Sequence, residues 1–436
     1  MYKDKIRKIF GKDINDELIQ YCCTKYPQWS NNNFKLSPLI NENIILNENF
    51  TEDELLNYIR YKKSINIVTI WTMFKYDDIE KYMTSIGAKI LYFKKIKLST
   101  KGINNLLYQL YADYETVNDI KSKIDNDYDN TINIIIIDNI KKEYIELIKL
   151  SINEMIQKRN CIMVSDNYYH TICQSRIYLC ENSIKFLELQ NLDEFMKIHM
   201  KKSRIMLATF RNWFFKTCSL EDQEKVILFS GSILYSLGIR KINDLDIYIS
   251  DNSDIDINKY FIDNDTRFPF IDSTIKNTVL WKSHWNRWEK EWLNKVGASS
   301  FEEIISNSKY HYYFLGIKFM LLDCDIYRRQ KRYRPKAFCD LIKINKIINI
   351  NIPKIPKTKR TFIHLKEGET IESYQLNDNM IYNKENNEII VEEPIDEKYF
   401  INTMIKYFRY VYNEEWTQEM LYLELKSKVK IIIKRK

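Results

Sequence analysis

The chain has 436 residues, 45% hydrophobic and 14% aromatic, with a formal net charge of +8. That apolar content excludes a disordered chain, and the length suits two or three domains rather than one small one. The positive excess is small for the length, so it is compatible with a polyanionic partner without specifying one.

Residues 1–60 mix short helical patterns with an Asn-rich loop at Asn31, Asn32 and Asn33, and read as an N-terminal cap. The first eight residues are charged and lack an apolar signal core. No apolar run approaches the roughly 20 residues of a membrane span. A soluble, intracellular protein with no membrane partner is therefore expected. From 61 to 195, short β-branched runs at 65–70, 89–93, 132–137, 161–164 and 184–187 alternate with helical patterns at 77–85, 102–113, 140–158 and 167–180. This rhythm predicts an α/β domain with a largely parallel sheet. The stretch from Ile132 to Ile137 is almost continuously apolar, as a strand covered on both faces should be. Asp138 and Asp166 close two of these runs, where an acid ordinarily caps the next helix. Three roles stay open for this first half: a scaffold, a surface for forming a homodimer, or a nucleic-acid-binding platform.

Residues 196–350 form the second expected domain. It opens on a basic amphipathic helix over 197–216, which carries Lys201, Lys202, Arg204 and Arg211 among Met, Leu, Phe and Trp. Trp281, Trp285, Trp288 and Trp292 make one helical stripe that reads as core or interface. His284 and His311 are too isolated to count as ligands. Prolines at 353 and 356, among basic residues, mark an extended linker over 351–357. Residues 351–436 then read as a small α+β region, with β-hairpins over 361–393, a turn at 383–387 and two helices. Its last eleven residues hold six Lys or Arg and no acid, which suits contact with a phosphate backbone. The eight cysteines show neither a CxxC pair nor zinc spacing with histidine, so reduced thiols are expected. The fold class is thus α/β and α+β multidomain.

The chemistry concentrates in one place. Phe229 and Ser230 lead into Gly231-Ser232, and eleven residues further on Asp244-Leu245-Asp246-Ile247 follows. A Gly-Ser turn between a strand and a helix offers backbone N–H groups to phosphate. Acids two apart on a strand share a face, and such a like-charged pair is repulsive until a cation relieves it. Hard divalent cations prefer carboxylate oxygen and retain phosphate ligands. Downstream, the apolar run 312–322 ends on Asp323 and Asp325, two further acids expected to share a face. A hairpin turn at Gly316-Ile317 would instead put the corresponding position near Met320, which is not acidic. Just beyond lie Arg328, Arg329, Lys331, Arg332, Arg334 and Lys336, the densest basic patch in the chain. It suits a triphosphate or a nucleic-acid strand, with Tyr333 available for stacking.

Apolar-Ser-Gly-Ser, eleven residues and Asp-apolar-Asp-apolar resemble the signature of the DNA polymerase β-like nucleotidyltransferase superfamily, over about 25 residues. The resemblance implies that Gly231 and Ser232 contact a nucleoside triphosphate and that Asp244 and Asp246 bind two ions, Mg²⁺ or Mn²⁺. A third catalytic acid is implied too, with Asp323 preferred over Asp325. The basic residues Arg328, Arg329, Lys331 and Arg332 would complete the nucleotide site. The layout as a whole resembles the poly(A) polymerases of large DNA viruses. That likeness implies template-independent addition to an RNA 3′ end in mRNA processing, with ATP as substrate, in the cytoplasm, a viral factory or the virion. Two other classes stay open: a degenerate transferase fold that only binds nucleic acid, and a nucleotidyltransferase that modifies a small molecule or a protein.

Overall fold

The computed structural model describes residues 51–72, 76–111, 130–138, 144–157, 161–165, 167–198, 201–242, 245–250, 292–331, 334–365, 368–385 and 387–433. Residues 1–50 of the cap expected over 1–60, Asp166, Asp244, Trp281, His284, Trp285, Trp288, Arg332, Tyr333 and the end of the basic tail lie outside them.

The first unit begins with α1 (Glu52–Tyr61), opened by a capping box in which Thr51 and Glu54 satisfy each other's backbone N–H. Then follow β1 (Asn66–Ile70), α2 (Tyr76–Ser85), β2 (Lys89–Lys97), α3 (Thr100–Tyr111), β3 (Thr131–Asp138), α4 (Tyr144–Ile156) and β4 (Ile162–Val164). The four strands form one sheet in the order β2-β3-β1-β4, so β2 and β4 are its edges. Every neighbouring pair is antiparallel, which corrects the expected parallel sheet. β1 and β2 run the same way with β3 inserted between them, and β3 and β4 run the same way with β1 between them. α2 and α4 therefore cross over to strands running the same way, as in a parallel sheet, while α3 joins the antiparallel neighbours β2 and β3.

The apolar character of β3 has a separate cause. Ile132, Ile134 and Ile136 pack on one face with α1 and α3, while Ile135 and Ile137 pack on the other with α2 and α4. Burial on both faces makes a strand continuously apolar whatever the direction of its neighbours. α5 (Tyr168–Tyr178) is capped by the Asn167 side chain, which accepts from the His170 N–H. It leads to α6 (Glu181–Leu189), where the sequence predicts a strand at 184–187. Ser183, Phe186 and Leu187 are its buried residues, an i, i+3, i+4 spacing that belongs to a helix.

The central unit comprises α7 (Leu192–Ile198), α8 (Lys201–Thr217), α9 (Leu220–Glu224), β5 (Val226–Leu228), α10 (Gly231–Ser236), β6 (Ile247–Ile249), α11 (Phe301–Ser306), β7 (His311–Phe314), β8 (Ile317–Met320), α12 (Leu322–Lys331) and α13 (Pro335–Asn345). Its sheet has the order β6-β5-β8-β7, with β5 parallel to β8 and antiparallel to β6. β7 and β8 are joined by Leu315 and Gly316, both at positive φ as a type I′ hairpin turn requires. The final unit holds β9 (Thr358–His364), β10 (Met380–Asn383) and β11 (Glu388–Pro394) in an antiparallel sheet, then α14 (Glu397–Tyr407) and α15 (Gln418–Ile433). The hairpin between β10 and β11 turns at 383–387, as expected. One hydrophobic core runs from the central sheet into these last helices and includes Phe338, Phe400, Met404, Phe408 and Trp416.

The first and central units are joined by charge as well as by apolar packing. Glu224 Oε2 lies 2.8 Å from Arg60 and 2.9 Å from Lys318, and its Oε1 lies 2.8 Å from Arg176. Tyr313 donates its hydroxyl to the same carboxylate at 3.2 Å. Burial alone would raise the Glu224 carboxyl, but Arg60, Lys318 and Arg176 outweigh it and hold it well below the usual carboxylate range.

Candidate functional site

The Gly-Ser segment folds as a tight turn. Ser230 has φ 58° and ψ −116°, the first central position of a type II′ turn, closed by Ser232 N–H donating to Phe229 O at 3.2 Å. That conformation favours glycine, so a serine there is strained. α10 starts directly at Gly231, and all six of its residues are buried.

Asp246 meets this turn from the neighbouring strand. Its backbone carbonyl accepts from Phe229 N–H at 3.0 Å, extending the β5–β6 pairing by one residue. Oδ2 accepts from Gly231 N–H at 2.9 Å, and the Asp246 N–H donates to Ser232 Oγ at 3.2 Å. Turn and acid are therefore one hydrogen-bonded unit. Two consequences depart from the sequence reading. The Gly231 and Ser232 N–H groups are taken by Asp246 and Phe229, so neither is open to a phosphate. The Ser232 residue is fully buried, and its hydroxyl oxygen accepts from the Asp246 N–H. Asp246 Oδ1, by contrast, has no hydrogen-bond partner among the described residues.

Gly231 is required by close approach. A Cβ there would lie 2.9 Å from Arg240 Nη2 and 3.2 Å from Asp246 Oδ2. Arg240 is 5% exposed, and its Nε sits 3.1 Å from Asp340 Oδ1. Asp340, on α13, also takes the Arg329 guanidinium and the Tyr412 hydroxyl. Arg329 reaches on to Asp325, whose other oxygen is held by Arg328. The Arg328 guanidinium in turn lies over the Phe229 ring, 5.5 Å from its centroid. A chain of alternating charge thus runs from one side of the turn to the other.

The expected third acid is placed differently. The hairpin turn falls at Leu315–Gly316, and β8 carries no carboxylate; its one charged residue, Lys318, is buried and serves Glu224. Asp323 and Asp325 lie in the first turn of helix α12, not on a strand. Two residues apart on a helix they do not share a face, which corrects the sequence expectation. Asp323 is exposed and Asp325 is fully enclosed. Burial alone would raise the Asp325 carboxyl, but Arg328 and Arg329 bring it down to about 2. With both oxygens held by guanidiniums, Asp325 does not fit a metal ion. Among the described residues no three His, Cys, Asp or Glu side chains come together as a metal-holding group. Asp246, with one oxygen oriented by Gly231 and the other open, does fit a hard cation.

The basic patch divides as well. Arg329 is committed to two carboxylates inside the protein, Arg328 is tied to Asp325 but faces the turn, and Lys331 is exposed beside Tyr327. Trp292 is a core residue donating to Cys324 O at 2.7 Å. His311 is buried and donates from Nδ1 to Ile304 O; burial, with Lys318 nearby, lowers it to about 3. Asp138 pairs with Lys62 and Ser64, a structural role. The six cysteines among the described residues are free thiols. Sequence reasoning missed Arg240 and Asp340. Their signals are a lone arginine inside the gap between turn and acids, and a lone acid in the apolar run 337–342.

Comparison of the chain with protein-family models, curated proteins and solved structures finds no match. No helix among the described residues is long and apolar enough to cross a membrane.

Proposed function

We propose that this chain is a metal-dependent, template-independent nucleotidyltransferase that adds nucleotides, from ATP, to an RNA 3′ end. The observation that carries the reading is the hydrogen bond from Gly231 N–H to Asp246 Oδ2 at 2.9 Å, which joins the Gly-Ser turn to the acid motif. Support also comes from Arg240 and Arg328, which flank that unit with positive charge. A carboxylate suited to a cation and guanidiniums suited to phosphate then stand side by side, as phosphoryl chemistry needs. In this reading Asp244 and Asp246 hold Mg²⁺ or Mn²⁺, which offsets triphosphate charge and makes the attacking hydroxyl more acidic. Gly231 fixes the Asp246 carboxylate, and the Ser232 hydroxyl fixes its backbone, so neither rotates as charge builds up.

The test is Asp246→Ala. We expect loss of Mg²⁺-dependent RNA primer extension by about a hundred- to a thousandfold, by analogy with the loss of a main electrostatic element, with the circular dichroism spectrum unchanged. Extension at the wild-type rate would sink the assignment.

A second reading has its own support: β8 has no acid and Asp325 is locked by arginines. On that reading the protein binds nucleic acid on a degenerate transferase fold. It predicts salt-sensitive RNA binding with no Mg²⁺-dependent nucleotide binding, whereas the transferase reading requires both.

A further inference from the structure

Arg240 is placed unusually for an arginine. It is nineteen-twentieths buried, and burying a guanidinium is unfavourable unless an anion faces it. That anion, Asp340, is shared with Arg329 and Tyr412. Nη1 donates to Lys241 O at 3.2 Å. Nη2 has no acceptor among the described residues, and it is the atom 2.9 Å from the Cβ position of Gly231. Arg240 therefore turns Nη2 toward the turn, while Nη1 is hydrogen-bonded to Lys241 O and Nε lies against Asp340 as an ion pair without hydrogen-bond geometry.

The local charge points the same way. Three guanidiniums, from Arg240, Arg328 and Arg329, stand beside the turn with the carboxylates of Asp325, Asp340 and Asp246, so a cation held at Asp246 would leave positive charge in excess there. Because the N–H groups of Gly231 and Ser232 are already engaged, an anion docking here must find its donor elsewhere. Arg240 Nη2 is that donor.

We infer that Arg240 contacts the β- and γ-phosphates of the nucleoside triphosphate, and that Asp340 is the positioning residue that aims it. The inference rests on the nucleotidyl-transfer reading. In that reaction the primer 3′-oxygen bonds to the α-phosphorus as the bond to the bridging oxygen breaks. The hydroxyl proton passes to solvent, and the bridging oxygen leaves with the electron pair as part of pyrophosphate. Arg240 would neutralise the charge that pyrophosphate carries away. Lysine cannot replace it, because an ammonium cannot hold Asp340 and present a second, fixed donor to phosphate at once.

The test is direct binding of inorganic pyrophosphate, ATP and adenosine to the full chain in Mg²⁺. Arg240→Lys should weaken pyrophosphate and ATP by about 10- to 100-fold, the loss of one charge-assisted hydrogen bond, and leave adenosine unchanged. Asp340→Asn should act in the same direction. Gly231→Ala approaches from the other side: its methyl group intrudes on Nη2 and on Asp246 Oδ2, so weaker pyrophosphate binding that persists without divalent cation reports on Arg240 even where Arg240→Lys fails to fold. Equal weakening of ATP and adenosine, or pyrophosphate binding unchanged in folded variants, overturns the assignment. Wild-type protein that binds pyrophosphate through Arg240 but never extends a primer removes the transfer reaction and leaves an anion site. Wild-type protein that extends a primer while Arg240→Lys binds pyrophosphate normally removes Arg240 alone. Wild-type protein that does neither removes both.

Discussion

Ser230 carries the sharpest backbone tension in the site. A non-glycine residue at φ 58° and ψ −116° is held there by the Ser232-to-Phe229 bond and by the Asp246 contacts on either side. Ser230→Gly should therefore stabilise the protein by about 1 kcal/mol, the lower end of the strain such positions store. Urea denaturation measures it, and a stability loss of similar size would show that the serine side chain does more than tolerate its geometry. At this scale the sequence was partly legible. The turn and Asp246 follow from residue type and spacing, because glycine and a strand-borne acid have few alternatives. Arg240 and Asp340 were not legible, since a buried ion pair joins residues 100 positions apart and neither neighbourhood announces its partner.

Among the elements, the short helix α9 has influence out of proportion to its length, because Glu224 at its end gathers Arg60 from α1, Arg176 from α5 and Lys318 from β8. Glu224→Gln removes the carboxylate that Arg60, Arg176 and Lys318 share and should cost about 3–5 kcal/mol, read from a denaturant midpoint at neutral pH. The pH dependence has a definite sign. The folded carboxyl is held far below its ordinary 4.5, so its stabilisation is complete above that value. It is lost only as the pH falls below about 4.5 toward the depressed folded value. The wild-type and Glu224→Gln stabilities should thus differ by a constant amount from pH 7 to 5 and converge in acid. Convergence already at pH 6 would mean the carboxylate is not the anchor. Element type was readable where an amphipathic period was long, as in α3. It failed at α6, where three apolar residues around Lys185 fit a strand or a helix equally well. Strand direction was not readable at all, because β3 is apolar for reasons of coverage.

Across the whole molecule, the linker expected at 351–357 is irregular in structure, yet the core continues past it. Phe408 is fully buried and stacks on Trp416 with centroids 4.2 Å apart, within the same core that holds Val226, Ile227 and Leu228. Phe408→Ala should cost about 3–5 kcal/mol and should lower the unfolding midpoint of the central unit together with that of the C-terminal helices. A separate early transition for the helices, with the central unit unmoved, would show that the shared core does not couple them. The prolines made the irregular course of 351–357 readable, but the sequence could not reveal whether packing crosses it, because that depends on which faces meet in three dimensions. The antiparallel sheet of the first unit has a further consequence. Its long outer strand, β2, carries the exposed Lys89, Lys95 and Lys97 along a border with no further strand beside it among the described residues. An identical border approaching from another molecule would bring ammonium against ammonium, so this rim discourages ribbon-like growth between copies.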